Sequence, residues 1–131
     1  MCALPVGGTV LVVDDDPDLL DALRETLDDA GYCVVTVGDG LEALEYLATN
    51  PLPQLILLDW MMPRCNGEEF RRRQKAMPHV RDVPVVLLSA DARIEEKSDQ
   101  AEAQAFLKKP VGLDQLLAVV AKYVQAAERA G

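Results

Sequence analysis

Five polar residues close apolar runs in this chain, and together they suggest one chemistry. "TVLVV" runs into Asp14 and Asp15, "LILL" into Asp59, "VVLL" into Ser89 and "AFLK" into Lys109. Three carboxylates gathered on one rim repel, and crowded carboxylates resist ionising together. Around a divalent cation that crowding becomes useful, and Mg²⁺ in particular takes carboxylates, waters and a phosphate as ligands. A hydroxyl and an ammonium alongside suit the oxygens of a phosphoryl group in in-line transfer, where positioning and electrostatics supply most of the catalysis. A carboxylate can itself carry the phosphoryl covalently. Asp59, standing alone at the end of its run, is the candidate nucleophile.

For these residues to meet, the runs must be strands of one sheet. The runs lie at 9–13, 33–37, 54–58, 85–89 and 105–109. Those around 10, 56 and 86 are apolar through their middles, which suits strands covered on both faces, as in a parallel sheet. "CVVTV" and "AFLKK" are more mixed and are expected at the sheet edges.

Helix signals separate the runs. Asp16 before Pro17 reads as an acidic N-cap with proline at the first helical position. Leu19, Leu20, Leu23 and Leu27 follow at helical spacing up to a stop at Gly31. Leu41, Leu44, Leu47 and Ala48 mark a second helix, and Phe70 and Met77 anchor a mostly charged third over 67–77. A fourth, about 91–102, has only Ile94 and scattered alanines to face a core. Leu113, Leu116, Leu117, Val120 and Val124 form the stripe of a fifth. Strand–helix alternation five times over predicts parallel pairing through right-handed crossovers, hence an α/β, three-layer (βα)5 sandwich. In such sheets the working site lies beyond the carboxyl ends of the strands.

Composition agrees with a single soluble domain. The chain has 131 residues, 22 acids against 13 bases and a formal net charge of −9. That balance argues against direct binding to nucleic acid or to an anionic membrane. No stretch reaches the roughly 20 apolar residues of a membrane span, and the opening lacks the pattern of a signal peptide. Cys2, Cys33 and Cys65 make no CxxC pair, so reduced thiols in a cytoplasm are expected. The single histidine, His79, is expected in an exposed loop without a role.

The segments "LVVDDDP", "LILLDWMMPRCNG", "VVLLSA" and "FLKKP" resemble, in order and spacing, the receiver domain of two-component response regulators, over about Thr9 to Ala126. The resemblance implies a flavodoxin-like parallel five-stranded sheet in the order 2-1-3-4-5. It implies that Asp59 is the phosphoacceptor, that Asp14, Asp15, Asp59 and the backbone carbonyl of Met61 bind Mg²⁺ (or Mn²⁺), and that Lys109 pairs with the phosphoryl. Ser89 takes the place of the switch hydroxyl and Phe106 that of the aromatic whose rotamer follows activation, while Lys109–Pro110 matches a cis peptide bond. Implied partners are a histidine kinase or phosphotransfer protein, an unidentified downstream protein, and a second copy in a phosphorylation-dependent dimer. The protein is then not a turnover enzyme, because it catalyses only its own phosphoryl transfer and slow self-dephosphorylation, the latter influenced by Met61 and Asp91. One receiver domain is expected over 1–131, with residues 1–8 as an N-terminal extension and no room for an output domain after the fifth helix.

Two departures from the family pattern bear on output. The Ser89-to-Lys109 segment is short, and Ala103-Gln104-Ala105 replaces the common Gly-Ala before the fifth strand, so the fourth helix is expected to be short or displaced. That motivates an alternative, a receiver-fold docking module with little phosphorylation-dependent output. Other readings fare worse. An EF-hand would need glycine where Leu19 stands. A flavodoxin would need a Ser/Thr/Gly-rich loop after the first strand. A metal-dependent phosphohydrolase would need an acid in place of Met61. Arg71-Arg72-Arg73 reads as a solvated helix face, Met61-Met62 as packing around the loop, and Trp60 as a partly exposed neighbour of Asp59.

Overall fold

The computed structural model describes residues 8–62 and 65–130, the side chains of 125–130 apart. Its strands are β1 (Thr9–Val13), β2 (Cys33–Val37), β3 (Leu55–Asp59), β4 (Val85–Ser89) and β5 (Ala105–Lys108). The helices are α1 (Pro17–Asp29), α2 (Gly40–Thr49), α3 (Gly67–Lys75), α4 (Ile94–Gln100) and α5 (Leu113–Ala130). All neighbouring strands pair in parallel, in the order β2-β1-β3-β4-β5. This is the flavodoxin-like order, with the two more polar strands at the edges.

Burial on both faces explains the apolar runs. Alternate residues of each central strand feed two separate cores. Leu11, Val13, Ile56, Leu58, Val85 and Leu87 pack toward α2, α3 and α4. Val10, Val12, Leu55, Leu57, Val86 and Leu88 pack toward α1 and α5. Each fully buried leucine or valine contributes about 1.5–3 kcal/mol, so shifting a strand by one residue would exchange two whole sets of packing partners.

The cap and stop of α1 fall where the sequence puts them, and the structure adds a cap for α2. The Asp16 carboxylate accepts from the amides of Asp18 (3.0 Å) and Leu19 (3.4 Å). Asp39 caps α2 through the Glu42 amide at 2.9 Å, and Glu42 accepts in return from Gly38 N–H at 2.8 Å. Gly31, with φ of +98°, turns the chain out of α1.

The expected boundaries need correction on the α2–α4 side. α3 ends at Lys75 rather than 77, and α4 spans Ile94–Gln100 rather than about 91–102, short as the family departures led one to expect. Its buried side chains are Ile94 and Ser98, too little apolar surface to hold a longer helix. The expectation of three reduced thiols also fails. Cys65 is a buried free thiol, but Cys33 is disulfide-bonded. Cys33 lies opposite Thr9 on the edge strand, and its amide donates to Gly8 O. Cys2 lies outside the described residues.

Candidate functional site

Backbone pairing carries Asp14, Asp59, Ser89 and Lys109 to the carboxyl rim of the sheet. Asp59 and Ser89 are the last residues of β3 and β4. Asp14 follows β1, and its amide still donates to Val37 O at 3.2 Å, so it is held almost as a strand residue. Lys109 follows β5 in the same way, its amide donating to Ser89 O at 2.9 Å. The Lys109–Pro110 bond is cis.

The three acids of the first loop take three different positions. Asp14 is fully buried; its Oδ1 accepts from the Asp16 amide at 2.9 Å and its Oδ2 from Lys109 Nζ at 2.9 Å. Asp15 is exposed, and Asp16 points away to cap α1. Asp59 is 4 % exposed, and its Oδ1 accepts from the Met61 amide at 3.3 Å and lies 3.4 Å from Lys109 Nζ. Carboxylate oxygens of Asp14, Asp15 and Asp59 all lie within 4.8 Å of one another. They open on a cavity of about 380 Å³ whose wall also includes Met61, Ser89, Asp91 and Lys109.

Electrostatics show that the rim is short of positive charge. Burial, and next the Asp14 charge, push the Asp59 carboxyl up to about 6, against the pull of Lys109. Burial weakens the charge on Lys109, yet the Asp14 hydrogen bond and the attraction of Asp59 and Asp14 outweigh it, so its ammonium is held above the usual lysine value. One ammonium thus faces three carboxylates. Clustered hard oxygens with uncompensated negative charge are the donor set that Mg²⁺ or Mn²⁺ takes.

Ser89 is buried, and its Oγ accepts from the Asp91 amide at 3.1 Å. Asp91 in turn pairs with Lys97 of α4 at 2.9 Å. Phe106 is half-buried on β5, packed against the core beneath α4.

Three readings of neighbouring residues are overturned. Trp60 is buried, not partly exposed; its ring lies against Gly67, where an added Cβ would come within 2.8 Å. Met61 is 65 % exposed rather than packed, while Met62 is buried. The arginine run splits. Arg72 and Arg73 are solvated and pair with Glu69, but Arg71 is 5 % exposed. Its Nε donates to Ala101 O (3.0 Å), Nη2 to Glu102 O (2.8 Å) and Nη1 to Gln74 Oε1 (2.7 Å). The available signal was helical phase: with Phe70 inward, Gly67, Arg71 and Gln74 share its face.

Fold and rim define a class: a doubly wound parallel sheet with acidic residues at its topological switch point. The family model of the response regulator receiver domain matches residues 10–121, and the chain belongs to that family. It is 39% identical over 111 residues to Response regulator MprA of Mycobacterium sp. (strain KMS), covering 83% of this chain and 47% of that protein. The same protein of Mycobacterium avium (strain 104) is 38% identical over the same length. The chain therefore spans about half the length of these relatives. Among solved structures, the receiver domain of a signal transduction histidine kinase from Syntrophus aciditrophicus superposes with a TM-score of 0.84 at 31% identity, covering 93% of each chain. The chemotaxis response regulator CheY4 of Vibrio cholerae gives 0.80 at 30% identity, covering 88% of this chain and 97% of its own.

Proposed function

We propose that this receiver domain accepts a phosphoryl group on Asp59 from a histidine kinase or phosphotransfer protein, and that the new charge resets a surface that binds another protein. The observation that supports it most is the rim itself: a buried Asp59 facing Asp14 and Asp15 within 4.8 Å while sharing Lys109 with Asp14. In the transfer a P–N bond of a phosphohistidine breaks, a P–O bond forms to a carboxylate oxygen of Asp59, and the freed imidazole nitrogen takes up a proton. Mg²⁺ or Mn²⁺, held by Asp14, Asp15, Asp59 and the Met61 carbonyl, supplies charge neutralisation to the phosphoryl oxygens when bound. Lys109, whose Nζ lies 3.4 Å from Asp59 Oδ1, would add its ammonium to the same oxygens. Ser89 spends one acceptor position on the Asp91 amide and keeps its hydroxyl hydrogen for a phosphoryl oxygen.

The reaction is stoichiometric, so the domain is a signalling element rather than a turnover enzyme. Slow hydrolysis of the aspartyl phosphate is influenced by Met61 and Asp91, which flank the cavity. A cytoplasmic location follows from the donors proposed. Among the described residues, no helix is long and apolar enough to cross a membrane. Phosphorylation-dependent dimerisation belongs to this reading, and residues 1–131 act in it as one receiver unit.

Acetyl phosphate with Mg²⁺, followed by intact-mass measurement, tests the proposal. The wild type should gain one phosphoryl with release of acetate, and Asp59→Asn should gain none. Equal spectra for the two proteins would favour the docking-module alternative, which the seven-residue α4 motivates.

A further inference from the structure

Away from the acidic rim, positive charge collects along α3. Glu68, Arg71, Arg72 and Lys75 stand at helical spacing on one stripe of that helix. With Trp60, Gln100 and Ala101 they line a cavity of about 260 Å³. Trp60, Arg71 and Ala101 are buried and form its floor, while Glu68, Arg72 and Gln100 are exposed and form its mouth. Three cationic groups thus meet one carboxylate here, in a chain whose formal net charge is −9.

The Arg71 guanidinium has its hydrogen bonds but lacks a counter-ion. Its donors go to the carbonyls of Ala101 and Glu102 and to the side-chain oxygen of Gln74, all of them neutral. Gln74 is itself fixed by Val80 O (3.0 Å) and Val83 O (3.1 Å). Among the described residues Arg71 forms no ion pair, unlike Arg72, Arg73 and Lys75. The carbonyl end of a helix offsets only part of a unit charge. The acid that acts on Arg71, Glu102, leaves α4 at φ +55°; its side chain is 75 % exposed and already pairs with Lys75. Burial accordingly holds the guanidinium below the usual arginine range, against the pull of Glu102. Buried charges are ordinarily paired, so a cavity beside an uncompensated one is a place for an anion. The Arg72–Glu69 and Lys75–Glu102 pairs reach into solvent and yield readily to a competing oxyanion.

We infer that this cavity binds a small organic anion, with a carboxylate or phosphate group among Arg71, Arg72 and Lys75 and a compact apolar body against Ala101 and Trp60. The volume falls just below the range of drug-sized pockets, which limits the body to about one ring. Guanidinium groups match an oxyanion two oxygens at a time, and Lys75 adds a point charge. Gln100 supplies an amide at the mouth, and Glu68 is the lining group that opposes the anion. Neither metal nor phosphoryl takes part, so this site stands or falls independently of Asp59.

NMR titration of the ¹⁵N-labelled full chain tests the site, in EDTA and with ionic strength held constant by chloride. The probes are sodium benzoate and phenyl phosphate. Saturable shifts should appear at the backbone amides of Arg71, Arg72 and Ala101 and at the Arg71 Nε–H, with a dissociation constant of about 1 mM or tighter for at least one probe. The tighter probe identifies the oxyanion. Lys75→Met and Arg72→Gln alter solvent-facing side chains, keep the dispersed spectrum of a folded chain, and should each weaken binding by about tenfold. Glu68→Gln should tighten it by about threefold. No saturable shift from either probe up to about 50 mM would overturn the site. So would shifts centred on Asp14, Asp59 and Lys109, or wild-type affinity in both Lys75→Met and Arg72→Gln. Acetate and inorganic phosphate binding as tightly as the aromatic probes would overturn the apolar body, and with it the organic ligand.

Discussion

The acidic rim and the α3–α4 flank lie on the same sheet but are built by opposite means. At the rim, strand pairing places Asp14, Asp59 and Lys109, and the charges are left poorly balanced: Asp14, Asp15 and Asp59 around one Lys109. On the flank the groups are well satisfied, because Arg71 and Gln74 find carbonyl partners for their buried donors, but strand pairing places none of them. A site left electrostatically unfinished suits the cation and phosphoryl proposed for it. The flank is finished by side-chain hydrogen bonds.

Removing Lys109 should break the rim most severely. Lys109→Met leaves a fully buried Asp14 without its cation and should cost about 3 kcal/mol at pH 8 in urea unfolding. It should also slow phosphate uptake from acetyl phosphate by about 100-fold or more. Wild-type stability in this variant would mean that the sheet alone tolerates the acids. On the flank, Arg71→Ala should cost about 2 kcal/mol by orphaning buried carbonyls, yet take up phosphate at the wild-type rate. A slowed rate would erase the contrast between the two regions.

The rim should also show itself through pH. Asp59 has its carboxyl raised from 3.8 to about 6 by burial, so the metal-free folded state holds a proton that the unfolded chain has released. Its stabilising effect is complete below about pH 4 and is lost as pH rises through about 6, a loss of about 2–3 kcal/mol. Asp59→Asn should flatten that slope in thermal melts recorded from about pH 4 to 7; an unchanged slope would assign it to other groups. Glu102→Gly should have the smallest effect, a gain of about 0.5–1 kcal/mol from relief of the positive φ. A loss in that variant would show that the exposed Lys75–Glu102 pair, at 3.0 Å, outweighs the backbone.

How much the sequence reveals follows the same division. Strands buried on both faces leave unbroken apolar runs, and what closes each run is visible by eye, so Asp14, Asp59, Ser89 and Lys109 could be read directly. The edge placement of β2 and β5 followed from their mixed composition. The flank resisted because its inward face is half polar. Gly67, Phe70, Arg71 and Gln74 give α3 no apolar stripe, so Arg71 was indistinguishable from its solvated neighbours Arg72 and Arg73. α4 offered only Ile94 and scattered alanines, enough to expect a short or displaced helix but not to set its ends. Hydrogen bonds spanning about thirty residues, such as Arg71 to Ala101, leave no periodic trace.

The burial of Trp60 has a practical consequence for spectroscopy. It is the sole tryptophan, it follows the candidate phosphoacceptor directly, and its ring rests on Gly67 at the start of α3. Trp60 also lines a second cavity, of about 260 Å³, beside Arg71, Lys75 and Ala101. Indole emission from this protein is therefore an optical gauge of how α3 and the end of α4 pack, read one residue away from the carboxylate chemistry.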